Sequence, residues 1–294
     1  MTPRWKTSLA ISVLTALVLA ACGGGGTTTD PGAGGDPAEE QPAFEVLNEG
    51  RLTVGSDIPY PPFEFEKDGV LTGYDVEIVR EIASRLGLEN TDDDWISTDF
   101  GTIFQQLKSG TKFDIVVAAV TGYAAPGSAA EETVAERTKL IDFTAPYYPS
   151  LQSLMVPKGS DIKSTDDLTD GVRVAVQNAT TGAFHAEKEY GAQGAEIVGF
   201  EKAPTMFQSL QGGNVDAIVN DLPVSLDAMK QFPDLEVIEQ IPTGEEYAIA
   251  VSKDNAELKD AVNDALAEMF EDGTFATIYK KYFPEQELPE YASE

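Results

Sequence analysis

Strand-like and helix-like stretches alternate along this chain, and two long extended runs interrupt the alternation: "APYYPSLQSLMV" (145–156) and "PTGEEYAIAV" (242–251). Alternation of this kind specifies α/β layers. Residues 52–54 read as a strand. A helix follows, with apolar Val79, Ile82, Ala83 and Leu86 at helical spacing, Asp75 as its expected N-cap and Gly87 as its stop. A second helix is expected over 102–109 and a strand over 113–119. After the first extended run the pattern restarts, with strands at 172–176, 195–199 and 215–219, a helix starting in "QNATTGAF" and another over 206–210. After the second run, helices are expected over 256–272 and 274–282. Two chain crossings imply two α/β lobes joined by two hinge strands, with a crevice between them as the expected ligand site. The lobes are expected at 44–147 with 244–288 and at 148–243, and 289–294 forms a tail.

The ends and the charge narrow the setting. Arg4 and Lys6 precede a mostly apolar run over 9–21, the pattern of an export signal, too short for a stable membrane span. "LAAC" (19–22) resembles the bacterial lipobox, which implies cleavage before Cys22 and lipid on it, anchoring the exported chain to the cell membrane on its periplasmic or outer face. Cys22 is the only cysteine, so an intrachain disulfide is excluded. Residues 22–43 hold no large apolar side chain and read as a disordered tether. The formal charge is −30, and loss of residues 1–21, with Arg4 and Lys6, leaves −32. No basic patch is available for phosphates, which argues against nucleic acid. His185 is the only histidine, and no other metal ligand stands at ligand spacing to it; a solvated helix position is expected, with no transition metal and no cofactor.

"YPPFEF" (60–65) puts three rings and two prolines on a loop after the first strand, since Pro61 and Pro62 suit neither an interior strand nor an interior helix. Rings so placed are the lid of a core or the wall of a binding site.

Four motifs carry a family resemblance over 48–284: "LTVGSDIPYPPFEF" (52–65), "GYDVEI" (73–78), "AERTKLIDFTAPYY" (135–148) and "DGTFATIYKKYF" (272–283). The chain resembles the solute-binding proteins of polar amino-acid ABC importers, of the type II periplasmic-binding-protein fold. The resemblance implies a monomer whose lobes close on one free amino acid and deliver it to permease subunits. It implies that Arg137 grips the ligand α-carboxylate, beside Thr121 and the Ala119 backbone, with Thr180 and Thr181 bonding the same group from the other lobe. Asp221 receives the ammonium. Tyr60 and Phe100 flank the side chain, with Asp57 and Gln177 at its far end and Asn220 nearby, while Phe63 and Phe65 pack beneath the loop. Tyr147 and Tyr148 are expected in hinge packing, and Met206 and Met269 in the core.

The chain departs from the family where "GYAAPGSAAEETVA" (122–135) intervenes before Arg137. It reads as a surface loop with a short helix from Glu131, and the competing reading pairs Arg137 with Glu131 or Glu132 on the surface. For Asp57, a turn or cap acid stands beside the ligand role. A carboxylate between rings suits a cationic or an amide side chain. An acidic ligand needs a second base, and none of Arg51, Arg80, Arg85 or Arg173 has an evident pocket position. Two other function classes use this fold: an enzyme such as a cyclohexadienyl-type dehydratase, which needs a poised acid, and a ligand-sensing module.

Overall fold

The computed structural model describes residues 44–292. The export signal, Cys22 and the tether lie outside the described residues. The chain builds β1 (Val54–Ser56), β2 (Phe65–Lys67), β3 (Val70–Thr72), α1 (Tyr74–Arg85), β4 (Trp95–Ser97), α2 (Phe100–Lys108), β5 (Ile115–Val116), β6 (Thr121–Tyr123), α3 (Ala129–Arg137) and β7 (Asp142–Pro157). It continues through β8 (Arg173–Gln177), α4 (Thr181–Glu189), β9 (Glu196–Phe200), α5 (Ala203–Gln211), β10 (Ala217–Asp221), α6 (Leu222–Ala228), β11 (Leu235–Val251), α7 (Ala256–Asp272) and α8 (Thr274–Tyr282).

Among the described residues, one sheet runs β4-β1-β5-β11-β7-β10-β8-β9, with β6 added on β11. β1 lies parallel to β4 and β5 at one end, and β8 lies parallel to β9 and β10 at the other. Between these halves β7 and β11 form one antiparallel ladder, from Asp142↔Val251 to Pro157↔Leu235. The fold is therefore two α/β lobes that share two long strands. The expected crossing points near 147 and 244 fall inside those strands.

The ladder is irregular where it matters. Gln152 pairs with Ile241, but Ser150 pairs with Glu245, so three residues of β11 bulge opposite one of β7. A bulge re-aims a side chain, and here Glu245 ends 1 % exposed between the lobes.

The loop rings divide their work. Phe63 is fully buried, with Tyr148 at 5.1 Å, Tyr247 at 5.3 Å and Phe283 at 5.8 Å between centroids. Tyr147 and Tyr148 belong to the same cluster, as expected of hinge packing. Phe65, expected beneath the loop, instead lies half-buried on β2 and faces a groove between the lobes. Gly73 explains why the motif "GYDVEI" opens with glycine: its φ is 138°, and a Cβ there would lie 1.9 Å from the Phe63 carbonyl oxygen.

Several expectations need correction. Gly73, not Asp75, occupies the N-cap of α1. Asp75 is wholly buried in the first turn, accepting from the Ala119 amide (2.9 Å) and the Tyr147 hydroxyl (2.9 Å). The strand expected over 113–119 is only Ile115–Val116, and β4, β6 and α6 were not foreseen. His185 is half-buried with Nε2 3.1 Å from the Tyr190 hydroxyl, and burial lowers its pKa. α7 and α8 match their expected bounds, and Met206 and Met269 are core. The tail is not free of the body: Tyr291 packs on Phe270 at 5.8 Å.

Candidate ligand-binding site

The 122–135 segment leads into and forms most of the helix that carries Arg137. Ser128 caps α3 by accepting from the Glu131 amide, and the helix begins at Ala129 rather than Glu131. Arg137 closes its last turn, 5 % exposed. Glu131 bonds the Gly127 amide and Glu132 pairs with Lys188 of α4, so neither takes the guanidinium, and the surface-pair reading falls. Arg137 donates to the carbonyls of Thr121 (2.8 Å) and Ala179 (3.4 Å). Its guanidinium carbon lies 5.3 Å from the Phe100 ring centroid and 5.1 Å from that of Phe104. Among the described residues it joins no salt bridge, and burial lowers its pKa to about 10 against the pull of Glu245 and Asp221.

Across the cleft, Asp221 ends β10 with one neutral hydrogen-bond donor on each carboxylate oxygen. Oδ2 accepts from the Tyr60 hydroxyl (2.7 Å), which also lies 3.2 Å from Asn220 Oδ1, and Oδ1 accepts from Gln152 Nε2 (2.6 Å). The same Gln152 nitrogen donates to Glu245 Oε1 at 3.2 Å. Burial, then the neighbouring Glu245 charge, raises the Asp221 pKa to about 6. Glu245 Oε2 accepts from Thr121 (2.6 Å) and Thr181 (2.7 Å), whose hydroxyl oxygens are 3.5 Å apart. Thr180 is the N-cap of α4, its Oγ1 accepting from the Ala183 amide and donating to the Gln177 carbonyl. The first amides of α4 have no intrahelical acceptor and favour an anion. Ala119 has its amide committed to Asp75.

At the far end, Asp57 is 3 % exposed and accepts from Gln177 Nε2 (2.6 Å) and from Lys202 Nζ. Burial pushes its pKa up, and Lys202 pulls it back. Lys202 is the base that the sequence argument did not place in the cleft. The four arginines considered there all pair elsewhere: Arg51 with Asp94, Arg80 with Asp92, Arg85 with Asp272 and Arg173 with Asp216. Asp57, Tyr60, Phe100, Ala118, Gln177 and Thr180 line an inner cavity of about 10 Å³, so the lobes meet almost directly.

The structure thus brings nine of the ten expected positions together where the lobes meet, while the Ala119 amide is turned to Asp75 in the core. It adds Gln152, Lys202 and Glu245, which sequence reasoning missed. A buried guanidinium lies near two buried carboxyls where the two lobes meet, the architecture of a two-lobed solute-binding protein. Residues 52–285 match the family model of the bacterial extracellular solute-binding proteins, family 3, and the chain belongs to that family.

It is 34 % identical over 250 residues to the L-cystine-binding protein TcyJ of Escherichia coli, covering 84 % of this chain and 87 % of that one. It is 30 % identical over 289 residues to a probable histidine-binding protein of Neisseria gonorrhoeae, covering 96 % of each. A solved ancestral arginine-binding protein bound to glutamine superposes with a TM-score of 0.72 at 38 % identity, over 81 % of this chain and 100 % of that one. An ancestral amino acid-binding protein described as a precursor of cyclohexadienyl dehydratase superposes with a TM-score of 0.69 at 35 % identity, over 80 % and 96 %. Among the described residues, no helix is long and apolar enough to cross a membrane.

Proposed function

We propose that this chain is the capture subunit of an amino-acid ABC importer, holding one free amino acid between its lobes and handing it to permease subunits as a monomer tethered through lipid on Cys22. The observation that carries the reading is the unpaired, buried Arg137 opposite Asp221 and Glu245. Burying an ion without a partner is costly, so each half of this arrangement favours an added counter-charge. The α-carboxylate goes to Arg137, whose planar fork suits it, and the α-ammonium goes to Asp221. The Thr121 and Thr181 hydroxyls then turn from Glu245 toward the ligand carboxylate. Because these groups come from both lobes, binding favours the closed form. The relatives described above are named for cystine, histidine and arginine, which supports an amino-acid ligand and a binding rather than a catalytic role.

The test is the melting temperature of the ligand-stripped protein against the twenty amino acids, ornithine, citrulline and cystine. A true ligand at about 100 times its Kd adds roughly 2.7 kcal/mol. A shift confined to a few amino acids and lost in Arg137→Ala supports the reading; no shift with any of them rejects it. Mass spectrometry of the membrane-extracted chain tests the anchor: acyl mass on an N-terminal Cys22 is expected, and an unmodified N-terminus rejects it.

A further inference from the structure

We propose that Glu64 works as an acid: it keeps its proton, shares it with Asp75 in a hydrogen bond, and through that bond presets the lobe-1 half of the ligand site. Glu64 touches no ligand in this reading and is a positioning residue, a role that rests on the amino-acid capture proposed above.

The inference starts from a buried carboxyl without a donor. Glu64 is 0 % exposed, and among the described residues neither of its oxygens accepts a hydrogen bond. A bare carboxylate so placed is very costly. The titratable groups that face it are acids and phenols: Asp75 from α1, Asp57 just after β1, Tyr60 from its own loop and Tyr147 from β7. The Tyr60 hydroxyl goes to Asp221, that of Tyr147 goes to Asp75, and Lys202 is taken up by Asp57. The partner within hydrogen-bond reach is the Asp75 carboxylate, itself an acceptor. Two carboxyls bond only when one of them brings a proton. Asp75 already accepts from the Ala119 amide and the Tyr147 hydroxyl, which favour its charged form, so the proton belongs on Glu64. Burial, then the Asp75 and Asp57 charges, push the Glu64 pKa well up, in the same direction.

The pair is a junction of three segments. Glu64 closes the turn that carries Tyr60: its carbonyl accepts from the Tyr60 amide at 2.7 Å, and the Tyr60 hydroxyl reaches Asp221 in the other lobe. Asp75 fixes Ala119, whose φ of 47° lies in the left-handed region that residues with a Cβ rarely adopt. Two residues on, Thr121 offers its carbonyl to Arg137 and its hydroxyl to Glu245. Tyr147 ties the same carboxylate to the hinge strand β7. Without the proton, two like charges would meet at this junction and push the Tyr60 turn away from the segment that seats Arg137.

Glu64→Gln and Glu64→Met separate the proton from the shape. Both match glutamate in length and neither ionises, but only the glutamine can donate to Asp75. The test is the melting temperature of the ligand-free full chain between about pH 4 and pH 8, with calorimetric titrations of L-arginine, L-histidine and L-cystine near pH 7. An acid with a raised folded pKa contributes stability that is fully present below its unfolded value of about 4.3 and is lost as pH rises. Glu64→Gln is therefore expected to melt at least about 4 °C above the wild type near pH 8 and to lose that lead towards pH 4. Its Kd should stay within about threefold of the wild type, while Glu64→Met should bind at least about tenfold more weakly. A melting difference that is the same at both ends of the pH range, or a Glu64→Gln chain that melts below the wild type near pH 8, overturns the shared proton. Equal Kd values for Glu64→Met and the wild type overturn the positioning role. If the wild type binds none of the three, amino-acid capture falls and the positioning role with it, and the shared proton stands or falls on the melting curves, which use no ligand.

Discussion

The two ends of the cleft are built by opposite strategies. At the inner end, Arg137, Asp221 and Glu245 are single ions held by neutral groups: carbonyls, phenyl faces, threonine hydroxyls and the Gln152 amide. At the outer end, Asp57 and Lys202 already satisfy each other. The first arrangement demands a partner of fixed charge, and the second tolerates only exchanges that keep its charges paired. In the proposed reading, the part of the ligand common to every α-amino acid meets ions that have no counter-ion in a salt bridge, whereas the outer end is a self-complementary pair.

If this contrast is right, substitutions at the inner end should hurt every ligand. The largest effect is expected for Arg137→Ala, which leaves the ligand carboxylate buried without a counter-ion; a loss of about 3 kcal/mol or more, over 100-fold in Kd, should appear by calorimetry for all amino acids tested. A loss for one ligand only would break the comparison.

Next comes Asp221→Asn, at about 2 kcal/mol near neutral pH, because Glu245 remains beside the ammonium. Its signature is a pH profile. With the Asp221 pKa raised to about 6, an ammonium arriving at lower pH must expel a proton, so wild-type affinity should fall by up to about tenfold per unit below pH 6. The variant should show a flatter profile, and an equal slope in both would remove Asp221 as the ammonium acceptor. Stability runs the other way. The folded state holds this proton more tightly than an unfolded aspartate near 3.8, so the contribution is fully present below that pH and lost as pH rises through about 6. Asp75, pushed to about 6 by burial, adds to the same trend. Ligand-free melting temperatures across this window check both.

A smaller effect is expected for Gly182→Ala. Its Cβ would lie 2.6 Å from Gln152 Oε1, forcing the amide that bridges Asp221 and Glu245 to shift. Affinity should drop by under about 1 kcal/mol, since the end of a glutamine can move. Smallest is Glu132→Ala, which removes an exposed ion pair between α3 and α4. Its influence on Kd should be detectable only at low salt and gone near 1 M, where screening acts within about 3 Å.

The fold was largely legible because periodicity is local. The apolar spacing of α7 and α8 marks their bounds without help from the rest of the chain, and the two extended runs announced β7 and β11. The cleft was legible only where a side chain's neighbours in sequence reveal its role. Glu245 sits in "GEEYAIAV", beside another glutamate, and reads as solvated; only the bulge across 241–245 turns it inward. Lys202 follows β9 in a polar loop and reads as a surface cation until the lobes bring Asp57 against it. Asp75 looks like a helix cap because acids favour first turns, and its burial depends on Tyr147, seventy-two residues away. What was missed arises from juxtaposition across lobes, which no window along the chain contains.

The nine residues of α3 have a consequence of their own. One end of the helix holds the cleft guanidinium, and an earlier turn clasps α4 through Glu132 and Lys188. A rigid rod of about 13 Å therefore joins the interior to the exterior.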